Sequence, residues 1–486
     1  MRLVQPLWPD TSVYLLHTRT WLETGNRYSD SHDSKGPLLI WLSAPVVRLV
    51  GAGAPAAGLL RGFAALVTAG VIWTLLRRRA PAGRSPWLPA ALVVVLPVAP
   101  SLWGDSLRPE NYATALAAVV LLLGHRGTRG AFCAAGALTA ATFFLKSVLI
   151  LPPALILTGL LVHRTWTHRR IPWADAGAMA GGALLAVGLI LGALAATDSL
   201  PDWWRQTVTW PAEYRQAAPS PAPAATTGLT ARALALYKAT DDPHRPWLMP
   251  LKIPATLIRS GMAPLFLLAL VMIWRTVGRW SALHALIGCW ILGELFKLGL
   301  EYRRWMYPAA GLIPPLLLWI GLAPTGPRRV RWLPELTMLV VLPMLVGLLA
   351  HAGTLARARL TGAPLGPYEE LAGQLRDIYR PGETLLVLDN NYALHLLLPA
   401  PPPPPVLSLH AAMVNPAERG ALQRTIQASP PDWLVGRELA YTAIHLDDPA
   451  SPTVKVIERV GELCLSGPYP LVVTNGSAWA RHRAPP

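Results

Sequence analysis

Between Leu59 and Ala350 the chain returns repeatedly to apolar runs close to the length of a bilayer-crossing helix, and that recurrence narrows its folds more than any other feature. A helix needs about 20 apolar residues to cross roughly 30 Å of hydrocarbon. Within that layer every backbone N–H and C=O must find its partner inside the chain, so helices are the expected solution. The runs fall at 56–76, 86–103, 111–124, 131–145, 148–162, 174–196, 254–274, 281–299, 306–322 and 333–350. Several are short, and 131–162 reads as a helical hairpin whose legs do not both cross fully. Composition agrees: 52% of the 486 residues are hydrophobic and 14% are charged, against about 25% charged in a soluble domain. The expected fold is a polytopic α-helical membrane protein with about ten transmembrane helices.

The formal net charge is +16, a value that taken alone suggests a nucleic-acid partner. Its placement argues against one. Five short connections, 77–84, 125–130, 163–170, 275–279 and 327–331, hold 14 arginines and no Asp or Glu. Cytoplasmic loops carry such an excess of Lys and Arg, so these five are expected to face the cytoplasm. Nearly all acids then fall on the opposite side: before residue 56, in 101–110, in 198–252, near Glu301 and beyond 351. This pattern belongs to a multi-pass protein of the plasma (inner) membrane, with its N-terminal loop and C-terminal region extracytoplasmic. The same parity leads us to expect a further transmembrane helix upstream of Met1, since no signal peptide pattern is visible. Cys133 and Cys289 lie inside apolar runs, apart from Cys464, so neither a disulfide framework nor a cysteine metal site is expected.

Three regions follow: an outer-surface segment with interfacial helices at 1–55, a transmembrane domain at 56–350, and a small soluble α/β domain at 351–486. In the last, Glu383–Asp389 and Asp432–Gly436 read as strands, Glu418–Ala428 as a helix, and 399–405 as a stiff proline-rich spacer. Within the transmembrane domain, 198–215 carries Trp203, Trp204, Trp210 and Tyr214 among charges, the composition of an interfacial helix. The run 218–229 reads as a flexible loop.

The residues able to carry chemistry gather on the acidic side. Asp10 follows Pro9 and precedes a helical pattern in which Val13, Leu16, Thr20 and Trp21 share a face. As an N-cap it would satisfy orphan backbone donors; as a carboxylate at a low-dielectric boundary it is placed to accept a proton from an acceptor hydroxyl. Asp30, Asp33 and Lys35 follow, the two aspartates shaping the loop and Lys35 suited to a phosphate oxygen. Glu110 opens the next span after Pro109, either as a helix-terminal acid or as a partner of Asp10 that orients it or holds a cation. Lys146 lies between two apolar runs, at the outer turn of the expected hairpin. Glu294 and Lys297 are three apart on one helix face, the spacing of a structural ion pair. Arg303 and Arg304 run against the cytoplasmic bias of arginine, so either interfacial anchoring or a local anion such as a phosphate is expected there. No Gly-rich phosphate loop, zinc helix or nucleophile elbow stands in a fitting context, so a soluble nucleotide-sugar site is unsupported.

One arrangement resembles a known family. Asp10 and Tyr14, then Gly25-x-x-Tyr28-x-Asp30-x-x-Asp33-x-Lys35-Gly36-Pro37-Leu38, is similar to the first outer loop of the GT-C glycosyltransferases. The nearest resemblance is to the family-39 protein O-mannosyltransferase-like and lipid A aminoarabinose transferase-like enzymes. Arg303-Arg304-Trp305-Met306-Tyr307-Pro308 resembles their late helix entry. The chain departs from the pattern at Thr11, where a second acid is common, and at Met306, where histidine is common. The resemblance implies transfer of a hexosyl or pentosyl group from a polyprenyl-phosphate donor, generally with inversion, to a lipid, glycan or protein acceptor on the outer face. It implies Asp10 as the catalytic aspartate and Glu110 as the acid of the second outer loop. Lys35, with Lys146, Arg303 and Arg304, would surround the donor phosphate, and Tyr14 and Tyr307 would contact substrate. No cofactor is required by these residues; a divalent cation is compatible with them, and its identity is unknown. Two other classes fit the same residues: a non-enzymatic flippase or transporter of a lipid-linked sugar precursor, against which stands the lack of any internal repeat, and an inactive scaffold subunit.

Overall fold

The computed structural model describes residues 9–24, 36–80, 85–102, 106–209, 249–276, 281–300, 307–323, 333–364, 367–387, 393–398, 431–437, 471–474 and 478–482. Asp30, Asp33, Lys35, Trp210, Tyr214, Arg303 and Arg304 lie outside the described residues, as do the 218–229 loop, the proline run and the helix expected at 418–428.

Helices stand at all ten positions where apolar runs occur. They are α3 (Ala54–Arg79), α4 (Trp87–Val95), α5 (Pro109–Arg126), α6 (Arg129–Phe143), α7 (Leu151–His168), α8 (Trp173–Ala196), the pair α10 (Met249–Arg259) and α11 (Ala263–Thr276), α12 (Ala282–Leu300), α13 (Ile313–Leu322) and α14 (Leu333–Thr361). Short helices α1 (Pro9–Thr24) and α2 (Pro37–Val50) precede them, α9 (Leu200–Trp204) follows α8, and α15 (Pro367–Leu375) and α16 (Ala393–Leu397) come late. Among the described residues five helices are long and apolar enough to cross a membrane: Ala54–Arg79, Ser147–His168, Trp173–Ala196, Ala282–Leu300 and Leu333–Thr361. A bent pair makes up to six. The protein is multi-pass, and by this criterion the expected ten spans become five or six.

The local reasons can be read from the residues. In α4 the run ends at Leu96-Pro97, where proline withdraws a donor, and continues only as the 3-10 turns Leu96–Val98 and Pro100–Leu102. The pair α10 and α11 is bent by 117° at Gly261, whose φ of 71° suits glycine. There the Met262 amide donates to Leu257 O at 2.9 Å and the Gly261 amide to Ile258 O at 3.1 Å, a Schellman ending that terminates a helix where the apolar pattern runs on. α13 is only 10 residues long and is entered through the 3-10 segment Tyr307–Leu312.

The chain divides into two compact units, described separately. One comprises residues 61–192 and 220–353. Its core includes Ile72, Leu76, Leu96, Phe132, Trp290, Leu316 and Trp319, each at most 1% exposed. In lipid no hydrophobic drive separates helix–helix from helix–lipid contact, so close approach has to come from small residues. Gly136 and Gly182 supply it, since a Cβ on either would strike backbone of the facing helix, at Met179 and Cys133. At one end of this unit the basic helix ends meet: Arg79 Nη2 lies 3.2 Å from His125 Nε2, and Arg164 donates to Gly127 O at 3.2 Å and pairs with Asp175. Helix α5, 18 residues long, carries His125 and Arg126 at that end and Glu110 at the other, about 24 Å away.

The other unit comprises residues 1–60, 193–219 and 354–486. The expected single apolar face of α1 is broader than read: Thr11, Ser12, His17 and Thr18 are buried alongside Leu15 and Leu16. Thr18 satisfies its hydroxyl by donating to Tyr14 O at 2.8 Å, which removes the penalty for burying it. α1 packs on α2 and on α16, and Arg19 Nη1 donates to His395 O at 2.7 Å. In α9 Trp203 is buried and Trp204 is exposed, so only one of the two tryptophans has an exposed ring.

Four short strands make one mixed sheet: β1 (Leu385–Val387), β2 (Trp433–Arg437), β3 (Leu471–Thr474) and β4 (Ala478–His482), in the order β1-β2-β4-β3. β1 and β2 pair in parallel, with Leu385 opposite Trp433. A clasp starts that pair: Asp432 Oδ2 accepts from the Thr384 amide at 2.8 Å, and the Asp432 amide donates to Thr384 Oγ1 at 3.0 Å. Beside it Trp433 Nε1 donates to Glu383 Oε2 at 2.7 Å, and Tyr379 donates its hydroxyl to Glu383 O. Burial, then the Glu383 and Asp432 carboxylates, push the Tyr379 phenol up to about 12. Below pH about 10 both folded and unfolded states keep this proton. Between about 10 and 12 only the folded state does, so stability falls as pH rises through that window. Tyr379→Phe is expected to flatten that part of a melting-temperature profile against pH.

A cationic cluster and a helix-borne aspartate

The start of α5 is built by its sequence. Pro109 is tolerated in the first turn because its missing N–H would be an orphan there, and Asn111 Oδ1 accepts from the Arg108 amide at 2.9 Å. This fixes Arg108 extended, just before the helix, and Glu110 inside its first turn. Lys146 comes from the turn between α6 and the 3-10 segment Ser147–Ile150, the hairpin turn expected for it. Its Nζ donates to Glu110 Oε1 at 3.0 Å. The acid is thus engaged by a partner 36 residues on.

Arg108 is the residue the sequence reading passed over. It is 8% exposed, donates to Ser106 Oγ, and lies with its guanidinium 3.5 Å from the centroid of the Tyr307 ring. Stacking on an aromatic face suits the planar guanidinium. The signal was present: Arg108 is an arginine on the acidic side, the same argument that singled out Arg303 and Arg304. Among the described residues two cations, Arg108 and Lys146, lie by one carboxylate, Glu110 at 6% exposed.

Of the residues expected to act together, the structure joins Glu110 with Lys146 and sets Tyr307 against Arg108. Asp10 and Tyr14 belong to the other unit, on α1. Helix α1 begins at Pro9, so Asp10 stands within the first turn and is not the N-cap; a carboxylate there still meets the positive end of the helix dipole. Asp10 is partly exposed and Tyr14 is 5% exposed. Among the described residues no three His, Cys, Asp or Glu side chains gather to hold a metal ion.

No protein-family model matches the chain, and no curated protein matches it significantly. Solved structures do. ArnT from Cupriavidus metallidurans in the apo state aligns over 100% of this chain and 96% of its own, with a TM-score of 0.57 at 15% identity. The same protein bound to undecaprenyl phosphate aligns with identical coverage and identity at a TM-score of 0.54. The fold is that of ArnT. That likeness is one of fold, and it agrees with the resemblance read between Asp10 and Leu38. An oligosaccharyltransferase from Archaeoglobus fulgidus, tethered with an acceptor peptide, aligns over 98% of this chain and 70% of its own at 11% identity, with a TM-score of 0.45.

Proposed function

We propose that this chain is a membrane glycosyltransferase that moves a sugar from a polyprenyl-phosphate-linked donor to an acceptor on the outer face of the membrane. The observation that carries the reading is the cluster of Arg108, Glu110, Lys146 and Tyr307, in which the described residues place two cations by one carboxylate at the end of α5 remote from the arginine-rich helix ends. Supporting it are the ArnT fold and the undecaprenyl phosphate bound in one of the ArnT structures. With the arginine-rich ends cytoplasmic, the cluster faces outward. Residues 56–350 then form the transmembrane domain, and 351–486 an extracytoplasmic α/β domain.

In the reaction an acceptor hydroxyl oxygen attacks the anomeric carbon while a carboxylate base, the role the resemblance gives to Asp10, takes its proton. The bond from that carbon to the phosphate oxygen breaks, and the polyprenyl phosphate departs with inversion at the sugar. Arg108 and Lys146, with Lys35, Arg303 and Arg304, stabilise the charge that grows on the leaving phosphate. Glu110 holds Lys146 in place, and Tyr307 holds Arg108. Tyr14 lies one turn after Asp10 on the same helix and contacts the acceptor.

The test is binding of undecaprenyl phosphate and of uncharged undecaprenol to the full-length protein in detergent. Tighter binding of the phosphate is expected; equal binding of the two would contradict the reading.

A further inference from the structure

In the same unit as the cluster lies a second pair of charges that the proposed chemistry does not use. Glu294 and Lys297 stand one turn apart on α12, their side chains 1% and 2% exposed. Lys297 Nζ donates to Glu294 Oε2, and Trp290 Nε1 donates to Glu294 Oε1 at 3.2 Å. The surface facing this pair is backbone, at Gly311 of the 3-10 segment Tyr307–Leu312. A Cβ at Gly311 would run into the Glu294 carboxylate and stand 2.7 Å from Lys297 Nζ. Gly311 has no left-handed φ, so what this position requires is space and not backbone freedom.

Stability does not account for such a pair. Replacing a buried ion pair by apolar side chains is often neutral or stabilising by about 1–4 kcal/mol, and the best-attested use of buried charge is to fix one arrangement over its neighbours. Here the arrangement fixed is that of a single turn of chain. Tyr307 begins the segment and carries the Arg108 guanidinium on its ring; Gly311, four residues on, seats it against the pair. We infer that the Glu294–Lys297 pair, with Gly311, is a positioning element that sets Tyr307 and through it Arg108 for a phosphate group. The inference rests on the polyprenyl-phosphate reading above.

The experiment is a double-mutant cycle on the full-length protein in detergent, reading binding of undecaprenyl phosphate and of undecaprenol. Gly311→Ala is expected to weaken undecaprenyl phosphate binding about tenfold, the worth of one charge-assisted hydrogen bond, and to leave undecaprenol unchanged. In a Tyr307→Ala background it is expected to add nothing, since the route it acts through is already cut. Additive losses, or equal losses for the two lipids, would show a general packing defect and overturn the inference. Trp290→Phe removes only the N–H given to Glu294; it should reproduce the pattern with a smaller effect, about threefold, and it decides the matter if Gly311→Ala does not fold. Lys146→Met separates the two levels. If it leaves undecaprenyl phosphate binding intact, the underlying reading fails and the inference with it. If it removes binding while Gly311→Ala and Tyr307→Ala add, the reading stands and only the positioning role is lost.

Discussion

Asp10→Asn is expected to lower sugar transfer by on the order of a thousandfold, the worth of a positioned general base, while the protein folds and melts almost as before. The contrast between those two effects is what makes the substitution informative. Asp10 sits in the first turn of α1 and is partly exposed, where a carboxylate meets the helix dipole, an interaction worth about 0.3–1 kcal/mol. Asparagine keeps the shape and part of that interaction, but it cannot accept a proton from an attacking hydroxyl. A parallel fall in melting temperature of more than about 5 °C would mean the residue works as a structural element of α1. Retention of transfer in the variant would remove Asp10 from the mechanism.

The second large effect concerns the cluster, where removing either partner of one ion pair should have opposite consequences. Lys146→Met withdraws a cation from the proposed phosphate site and is expected to weaken undecaprenyl phosphate binding by about 10–100-fold, as for a hydrogen bond to a charged group. Glu110→Gln leaves both cations and removes the carboxylate paired with Lys146, so binding should hold or tighten. Turnover should nevertheless fall if Glu110 orients Lys146 for the leaving phosphate. Because Lys146→Met also strands a carboxylate that is 6% exposed, a cost of about 3–5 kcal/mol on breaking a buried pair, the double variant Glu110→Gln/Lys146→Met is the proper stability control. Loss of binding in the double variant without loss of melting temperature assigns the effect to charge. Equal binding by Lys146→Met and the wild type would take the cluster out of the donor site.

The class of fold was legible because the bilayer imposes one strong requirement, and the runs from Leu59 to Ala350 meet it. The number of complete spans was not, because the features that stop a helix here are local and compatible with an apolar pattern. Gly261 bends the run at 254–274 through two backbone hydrogen bonds, and Pro97 turns another into 3-10 segments; hydropathy passes over both. In the site, Lys146 was found by its cost inside apolar sequence, and Glu110 by its place at a helix start. Their mutual bond depends on how α5 and the α6–α7 hairpin meet, which no local pattern encodes. Arg108 was missed for a different reason: its neighbours Pro109 and Glu110 made the stretch read as a helix cap. The Glu294–Lys297 pair was legible from its spacing, whereas the approach of Gly311 to it was not. The same limit held in the C-terminal region, where the strands at 385–387 and 433–437 were foreseen and their parallel pairing, across 48 residues at Thr384 and Asp432, was not.

The most direct test of the account supplies the purified full-length protein in lipid vesicles with radiolabelled polyprenyl-phosphate sugars and a mixture of lipid, glycan and protein acceptors. Label should leave the polyprenyl phosphate and appear covalently on an acceptor, with Asp10→Asn protein giving only background. Label that crosses the bilayer still attached to its carrier, or transfer that proceeds equally with Asp10→Asn, would contradict it.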